Sequence, residues 1–376
     1  MLVWSDVAAD ARVQREAATL AEAGHEVHVI GRSVRADWTP PPGVTVQSFG
    51  APSVFRKQAG PPRPQRLAWP LRVARWVLLP NHVAGALRSW TASARAAALA
   101  HPCDVVHAHD FNTLELAADV AAHHNAKLVY DSHELWQGRP RIGRPTPLRR
   151  RREARAERAL GARAALRITV GEGVAAELRE RYGWPDVLVV RNSFPMRPER
   201  PHLNGPRGLL YAGRVAPYRE LETVIAAASS VPELRVAVAG PADPTYLAQL
   251  EPGRVELLGQ LDLDEVDDWY AELGLALVTH SNRWPNHRLA MPNKLFHAIA
   301  CGAPVVATDV PELRRVVEEH GIGVLYQPGD AADLVRAIRD AVARYPELLA
   351  AVDLAREALS WSVDGEQLQE AYARLA

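Results

Sequence analysis

The feature that most constrains the fold of this chain is an alternation of short apolar runs with amphipathic helical stretches, repeated along both halves of its 376 residues. Apolar runs bounded by turn residues read as buried strands, and parallel strands need helical crossovers, so the alternation predicts parallel sheets covered by helices. Strand candidates in the first half are MLVW, EVHVI, DVVHA, KLVYD, LRITV and VLVVR. Those in the second half are LLYAG, LRVAVAG, VELLG, LALVTH, PVVATD and GVLY. Between the first two lies DARVQREAATLAEAGH, where Val13, Ala17, Leu20 and Ala21 recur at helical spacing and Gly24 stops the helix. FPMRPERPHLNGPRG (194–208) holds four prolines and two glycines, too many for an element interior, and reads as a linker between two doubly wound α/β domains. Ligands of such sheets sit at the carboxyl ends of the strands, and two sheets joined by a hinge are expected to face each other across a cleft.

Composition narrows the class. With 48% hydrophobic and 23% charged residues and a formal net charge of zero, the chain can build cores and is neither disordered nor fibrous. It has no apolar stretch of about 18 residues and opens on MLVWSD without a basic, cleavable leader, so a cytoplasmic location is expected. Cys103 and Cys301 lack any CxxC or CxxH spacing, which argues against a disulfide framework and a thiolate zinc site. The zero total hides an asymmetry: residues 1–200 carry 29 Lys+Arg against 19 Asp+Glu, the remainder 15 against 25. Residues 51–100 contain eight basic residues and no acid, and 145–163 is a second Arg-rich run. Each reads either as a phosphate-facing patch or as a solvated helix face. Within QRLAWPLRVARWVLLPNHVAGALRSW (65–90), Trp69, Trp76, Leu78 and Leu79 accompany Arg66, Arg72 and Arg75. That mixture suits a peripheral contact with an anionic membrane face, the alternative being a helix packed on the first sheet.

Neither GxGxxG nor GxxxxGK[ST] nor GxSxG is present, so a dinucleotide dehydrogenase, a P-loop enzyme and a serine hydrolase are not indicated. The predicted strand ends are instead unusually polar, with Asp6, Asp10, His107, His109, Asp110, Asp131, His133 and Glu134 in the first half. Gly213, Arg214, Gly240, Gly259, His280 and Asp309 follow in the second. YAGRVAPYRELE (211–222) sets Arg214 beside a glycine and Arg219 near a helix start, a diphosphate clamp in outline because guanidiniums and a helix N-terminus all favour phosphate oxygens. In RLAMPNKLFHAIACGAPVVATDVPELRRVV (288–317), Pro292 fits the first turn of a helix with Asn293 and Lys294 beside it, so that amides and an ammonium converge on one anion.

At these residues the chain resembles the retaining GT-B fold glycosyltransferases of family 4 (group 1). The second half does so through LLYAGRVAPYRELETVI, LLGQL, MPNKLFHAIACGAPVVATDVPELRRVV and the closing helix WSVDGEQLQEAYARL. The first half is similar through DARVQREAATLAEAGHEVHVI, DVVHAHDFNTLELA, LVYDSHELW and ITVGEGVAAEL. The resemblance implies an N-terminal acceptor-binding domain over 1–196, onto which the helix 362–376 packs back, and a nucleotide-sugar donor domain over 206–361. It implies that Arg214 and Arg219 bind the donor diphosphate, that Lys294 approaches the same phosphates and that His133 touches the donor sugar. Gly213, Gly259, Gln260, Leu261, His280, Pro292, Asn293 and His297 fall on the donor side; Asp10, Arg12, His109, Asp110 and Glu134 fall on the acceptor side.

The function so implied is transfer of a sugar from a nucleoside diphosphate sugar, a UDP-sugar above all, to a small-molecule or lipid-linked hydroxyl, with no cofactor, no metal and no nucleic-acid partner. The only Asp-x-Asp pair near a strand end, Asp262 and Asp264, reads as a helix start. The chain departs from the family where two glutamates eight positions apart are common: Leu289 and His297 stand there. Glu220 replaces a usual glycine beside Arg219. With His297 at the ribose-facing position, His297→Glu is expected to tighten nucleotide binding. The competing functions are a nucleotide-sugar epimerase on the same fold and a catalytically inactive sugar-nucleotide-binding subunit.

Overall fold

A computed structural model describes residues 1–32, 38–50, 69–139, 147–198, 201 and 203–375, with the side chains of 69–84 left aside. The chain divides into two units at Val190/Arg191, and the last residues, from Gly365 on, return to the first unit. In that unit seven strands form one parallel sheet: β1 (Leu2–Val3), β2 (Val27–Arg32), β3 (Val44–Phe49), β4 (Val105–His109), β5 (Lys127–Ser132), β6 (Leu166–Thr169) and β7 (Leu188–Val189). Their order is β3-β2-β1-β4-β5-β6-β7. The second unit carries β8 (Gly208–Ala212), β9 (Arg235–Ala239), β10 (Glu256–Gly259), β11 (Gly274–Val278), β12 (Val305–Thr308) and β13 (Gly323–Tyr326), in the order β10-β9-β8-β11-β12-β13. Both orders reverse beside the first strand of their sheet, the switch point at which doubly wound folds bind ligands.

The expected strands form, and one more joins them. The segment VTVQSF of β3 pairs only with β2, and its alternating Thr45, Gln47 and Ser48 leave it half solvated, so it lacks the continuous apolar run of a central parallel strand. The first predicted helix spans Ala11–Glu22, buries Val13, Ala17 and Leu20, and stops before Gly24 at a φ of 91°. In the second unit Leu209, Tyr211, Leu275, Leu277, Val306 and Tyr326 build the core beneath the strand ends.

The C-terminal helix Trp361–Ala373 brings Gln369 to the Thr19 carbonyl and Tyr372 to His107, both in the first unit. Among the described residues no helix is long and apolar enough to cross a membrane. Of the basic membrane-facing segment, residues 65–68 lie outside the described residues, as do the side chains of Trp69, Arg72, Arg75, Trp76, Leu78 and Leu79 in the helix Trp69–Ala100. The start of the second Arg-rich run, residues 145 and 146, is also outside them.

Candidate functional site

The second unit gathers its polar strand ends by close backbone contact. The Gly213 N–H donates to the Ala239 carbonyl at 2.8 Å and the Gly240 N–H to the Gly259 carbonyl at 2.6 Å. Gly240 has a φ of 139°, and a Cβ there would lie 2.1 Å from the Gly213 carbonyl oxygen, so only glycine lets these ends approach. Arg214 follows, exposed, with its own carbonyl accepting from the Tyr211 hydroxyl at 3.0 Å. Gln260 is exposed and Leu261 half-buried beyond β10.

Arg219 sits in a tight turn whose neighbours Tyr218 and Glu220 both adopt left-handed φ values, 69° and 59°. That conformation explains why glycine suits position 220. The Glu220 carboxylate accepts from the Thr223 hydroxyl at 3.3 Å and from the Gly329 backbone N–H, and forms no ion pair with Arg219 among the described residues. The Arg219 carbonyl accepts from the Thr279 hydroxyl at 2.5 Å, and its guanidinium meets His280 Nε2 at 2.9 Å. Burial, then Lys294 and Arg219, hold His280 well below the ordinary imidazole range, so it is neutral and accepts the guanidinium N–H.

Lys294 enters from the first turn of the helix Asn293–Ala300, with Pro292 at the N-cap position and Asn293 exposed beside it. The residue is 7% exposed, and its ammonium donates to the Thr279 carbonyl at 3.0 Å and lies 3.9 Å above the Tyr211 ring. Burial, and then Arg219, push its pKa well below that of a free lysine. No carboxylate among the described residues pairs with Arg214, Arg219 or Lys294. A buried cation without a counter-ion is costly, and a helix N-terminus beside a second cation, Arg219, makes the place suited to an anion.

The first unit builds a different centre from β4, β5 and the first long helix. Arg12 grips Asp131 with two N–H groups, Nε to Oδ2 at 2.8 Å and Nη2 to Oδ1 at 2.9 Å, and gives Nη1 to the Val190 carbonyl at 2.7 Å. Asp131 Oδ2 also lies 2.9 Å from His133 Nε2 and 3.4 Å from His109 Nδ1. Burial opposes charge on His133, but Asp131 and Asp110 outweigh it and raise its pKa to about 10, so it stands as an imidazolium. Asp110 holds a left-handed φ of 63° ahead of the helix Phe111–His124 and accepts from the His133 backbone N–H at 3.1 Å. Burial raises its pKa to about 6 against the pull of His133. Asp10 caps the first helix, accepting from Val13 N–H at 3.3 Å and from the Ser5 hydroxyl at 2.7 Å. Glu134 accepts from Arg139 at 2.8 Å, whose guanidinium covers Trp136.

Three expected positions are buried and engaged within their own units. Arg12, 3% exposed, faces Asp131 and Glu16. His109, 1% exposed, is stacked on His107 at 4.2 Å and lines the buried side of the centre. His297 is turned inward: its Nε2 meets Asp267 at 2.6 Å, one face lies on Phe194 at 4.7 Å, and Tyr270 packs edge-on at 5.6 Å. Its Nε2 is thus engaged by Asp267, a contact that His297→Glu would remove. The partner of His297, Asp267, gave no motif signal, since it lies 30 positions along the chain from it.

Two groups of side chains lie close enough to hold a cation among the described residues: Glu16, His107, His109 and Asp131, and Asp267, His297 and Cys301. Each already contains a guanidinium, Arg12 bound to Asp131 and Arg197 bound to Asp267, which repels a second cation. Asp262 caps the helix Leu263–Leu273 in a reciprocal pair with Glu265, as its spacing with Asp264 implied.

Comparison with known proteins gives a consistent picture. Residues 10–195 match the profile of "Glycosyltransferase Family 4" and residues 206–344 that of "Glycosyl transferases group 1". A D-inositol 3-phosphate glycosyltransferase of Geodermatophilus obscurus is 30% identical over 187 residues, covering 45% of this chain and 40% of that protein. The chain thus spans less than half of that relative. A glycogen synthase of Mycobacterium tuberculosis is 26% identical over 352 residues, 85% of this chain and 78% of that one. In fold, the chain is similar to sucrose-phosphate synthase from Thermosynechococcus elongatus, with a TM-score of 0.68, 20% identity and coverage of 100% and 98%. Anabaena Alr3699/HepE, solved in complex with UDP-glucose, gives a TM-score of 0.68 at 16% identity, covering 99% of each chain.

Proposed function

Because the chain belongs to the group 1 glycosyltransferases of family 4, we propose that it transfers a sugar from a nucleoside diphosphate sugar to a hydroxyl acceptor, with retention of anomeric configuration and without a metal ion. The observation that carries this reading is Lys294, buried with Arg219 close by and no carboxylate among the described residues paired to either. Phosphate oxygens supply the missing negative charge. As the glycosidic bond breaks, charge accumulates on the leaving diphosphate, and Arg214, Arg219 and Lys294 stabilise it without having to reorganise. Among the described residues no acid is paired with these cations in a position to act as a nucleophile, which suits departure and attack on one face, the leaving phosphate taking the acceptor proton. His133, an imidazolium oriented by Asp131, serves the sugar in this scheme. UDP-glucose is the first donor to try, since it is the ligand of the HepE complex.

The acceptor, small or lipid-linked, is set by the first unit, and the reaction is placed in the cytoplasm with the basic segment 65–90 as the candidate membrane contact. A sugar-nucleotide-binding subunit without turnover is the second reading, favoured by the inward turn of His297. Incubation with radiolabelled UDP-glucose and a panel of hydroxyl acceptors, with the product anomer read by NMR, separates the two. Labelled product of the donor's own anomeric configuration supports transfer with retention; tight nucleotide binding without product or hydrolysis supports the second reading.

A further inference from the structure

Beneath His133 lies a set of groups that the proposed transfer does not use. Glu16, fully buried one helical turn after Arg12, has Oε1 2.9 Å from Arg12 Nε, yet that N–H is directed to Asp131, and neither Glu16 oxygen makes a hydrogen bond. Glu16 Oε2 lies 3.8 Å from His107 Nε2. The Nε2 atoms of His107 and His109, both buried, also lack partners. A carboxyl group and two ring nitrogens without hydrogen-bond partners therefore crowd one buried space, with ligand atoms within 4.8 Å of one another. Buried polar atoms left so are costly, a buried carboxylate without a donor most of all, and a proton on the carboxyl removes that charge.

We propose that Glu16 is a positioning residue that works in its neutral, proton-bearing form: uncharged, it does not compete with Asp131 for the Arg12 guanidinium that both approach, and so keeps Asp131 as the acceptor that orients His133. The inference rests on the reading of His133 as part of the transfer site.

The groups facing Glu16 are Arg12 on its own helix, His107 and His109 on β4, Asp131 on β5, His133 in the following turn and Tyr372 on the C-terminal helix. The Tyr372 hydroxyl occupies His107 Nδ1 at 2.7 Å, and His109 Nδ1 lies toward Asp131 and His133, so both rings turn Nε2 toward the carboxyl. Two carboxylates share one guanidinium here. Asp131, with the Arg12 fork and two imidazoles, is the one that stays ionised, and burial, reinforced by Asp131 against the pull of Arg12, lifts Glu16 to about 8. Above that pH an ionised Glu16 competes for Arg12 and loosens the hold on Asp131.

The test is an NMR titration of ligand-free protein labelled with 15N-histidine, wild type against Glu16→Gln. The amide keeps the shape, the neutrality and a donor. The expected result is a step near pH 8 in the His133 ring signals of the wild type that is absent from Glu16→Gln, while a His133→Gln control identifies those signals. The same step in both proteins overturns the proposal. If Glu16→Gln does not fold, 13C-glutamate labelling of the wild type still decides: one carboxyl titrating near pH 8 supports it, and all titrating below about pH 6 overturns it. A stoichiometric divalent metal that EDTA removes with movement of the His107 and His109 signals also overturns it, since a cation would then fill the space given to the proton. Because no donor is present, a step in the titration together with failure of UDP-glucose turnover leaves this inference standing and removes only the transferase reading.

Discussion

The ammonium of Lys294 is tied to the carbonyl of Thr279 at 3.0 Å, and the hydroxyl of the same threonine holds the Arg219 backbone at 2.5 Å, so one residue fixes both cations of the pocket. Two consequences follow for Lys294 itself. Its folded pKa lies below the unfolded value, so between the two the unfolded chain binds more protons at this group. Stability from Lys294 therefore rises as pH climbs toward the free lysine range near 10.4. Lys294→Met should remove that slope, leave the ligand-free protein at least as stable at pH 7, and weaken UDP binding at least tenfold. Thermal melts from pH 6 to 10, with and without UDP, check all three; a variant that melts much earlier yet binds UDP normally contradicts the assignment.

Arg214 and Arg219 differ in their surroundings and should differ in their variants. Arg214→Ala removes an exposed side chain and should leave the melting temperature unchanged, whereas Arg219→Ala also strips His280 of its donor. Each should cost about 1.5–3 kcal/mol of interaction with a diphosphate, roughly ten- to a hundredfold in affinity or rate. Measured UDP affinities and melting temperatures of the two variants suffice, and unchanged affinity in both would falsify the clamp.

His133 gives a pH signature of the opposite sign to Lys294. Its folded pKa, about 10, is above the ordinary histidine value near 6.5. The stability it contributes is fully present below about pH 6.5 and fades as pH rises through 10. The difference in melting temperature between wild type and His133→Gln should therefore be largest in mild acid and shrink toward pH 10. A gap that widens with pH shows that the imidazolium is not what Asp131 holds.

His297→Glu places a second carboxylate against Asp267, which burial alone would neutralise but which His297, Cys301 and Arg197 keep ionised. Losing the imidazole donor and adding like charge in a buried site costs about 3–5 kcal/mol. At roughly 2–4 °C per kcal/mol for a domain of this size, melting should fall by about 10 °C. Differential scanning calorimetry reads it. An unchanged melting temperature would mean that His297 is free to face a ligand after all.

These particulars show where the chain could be read in advance. Gly213, Arg214, Pro292 and Lys294 were legible because the pocket is assembled from strand ends and a helix start, places where local sequence dictates backbone direction. The roles of Arg12 and His297 were not. Arg12 meets Asp131 119 positions away and His297 meets Asp267 30 positions away, and whether a side chain at a strand end or on a helix turns outward or inward is decided by such partners. The edge strand β3 escaped for a related reason: one exposed side breaks the apolar run by which its neighbours were recognised.

The central claim is that the cations of the second unit receive a nucleoside diphosphate. Titrating UDP calorimetrically into wild type and into the Arg219→Ala/Lys294→Met double variant at pH 7 tests it most directly. The expected result is saturable binding to the wild type and loss of binding in a double variant with an unchanged circular dichroism spectrum. Equal binding by the two proteins, or no binding of UDP, GDP or ADP by the wild type, would contradict it.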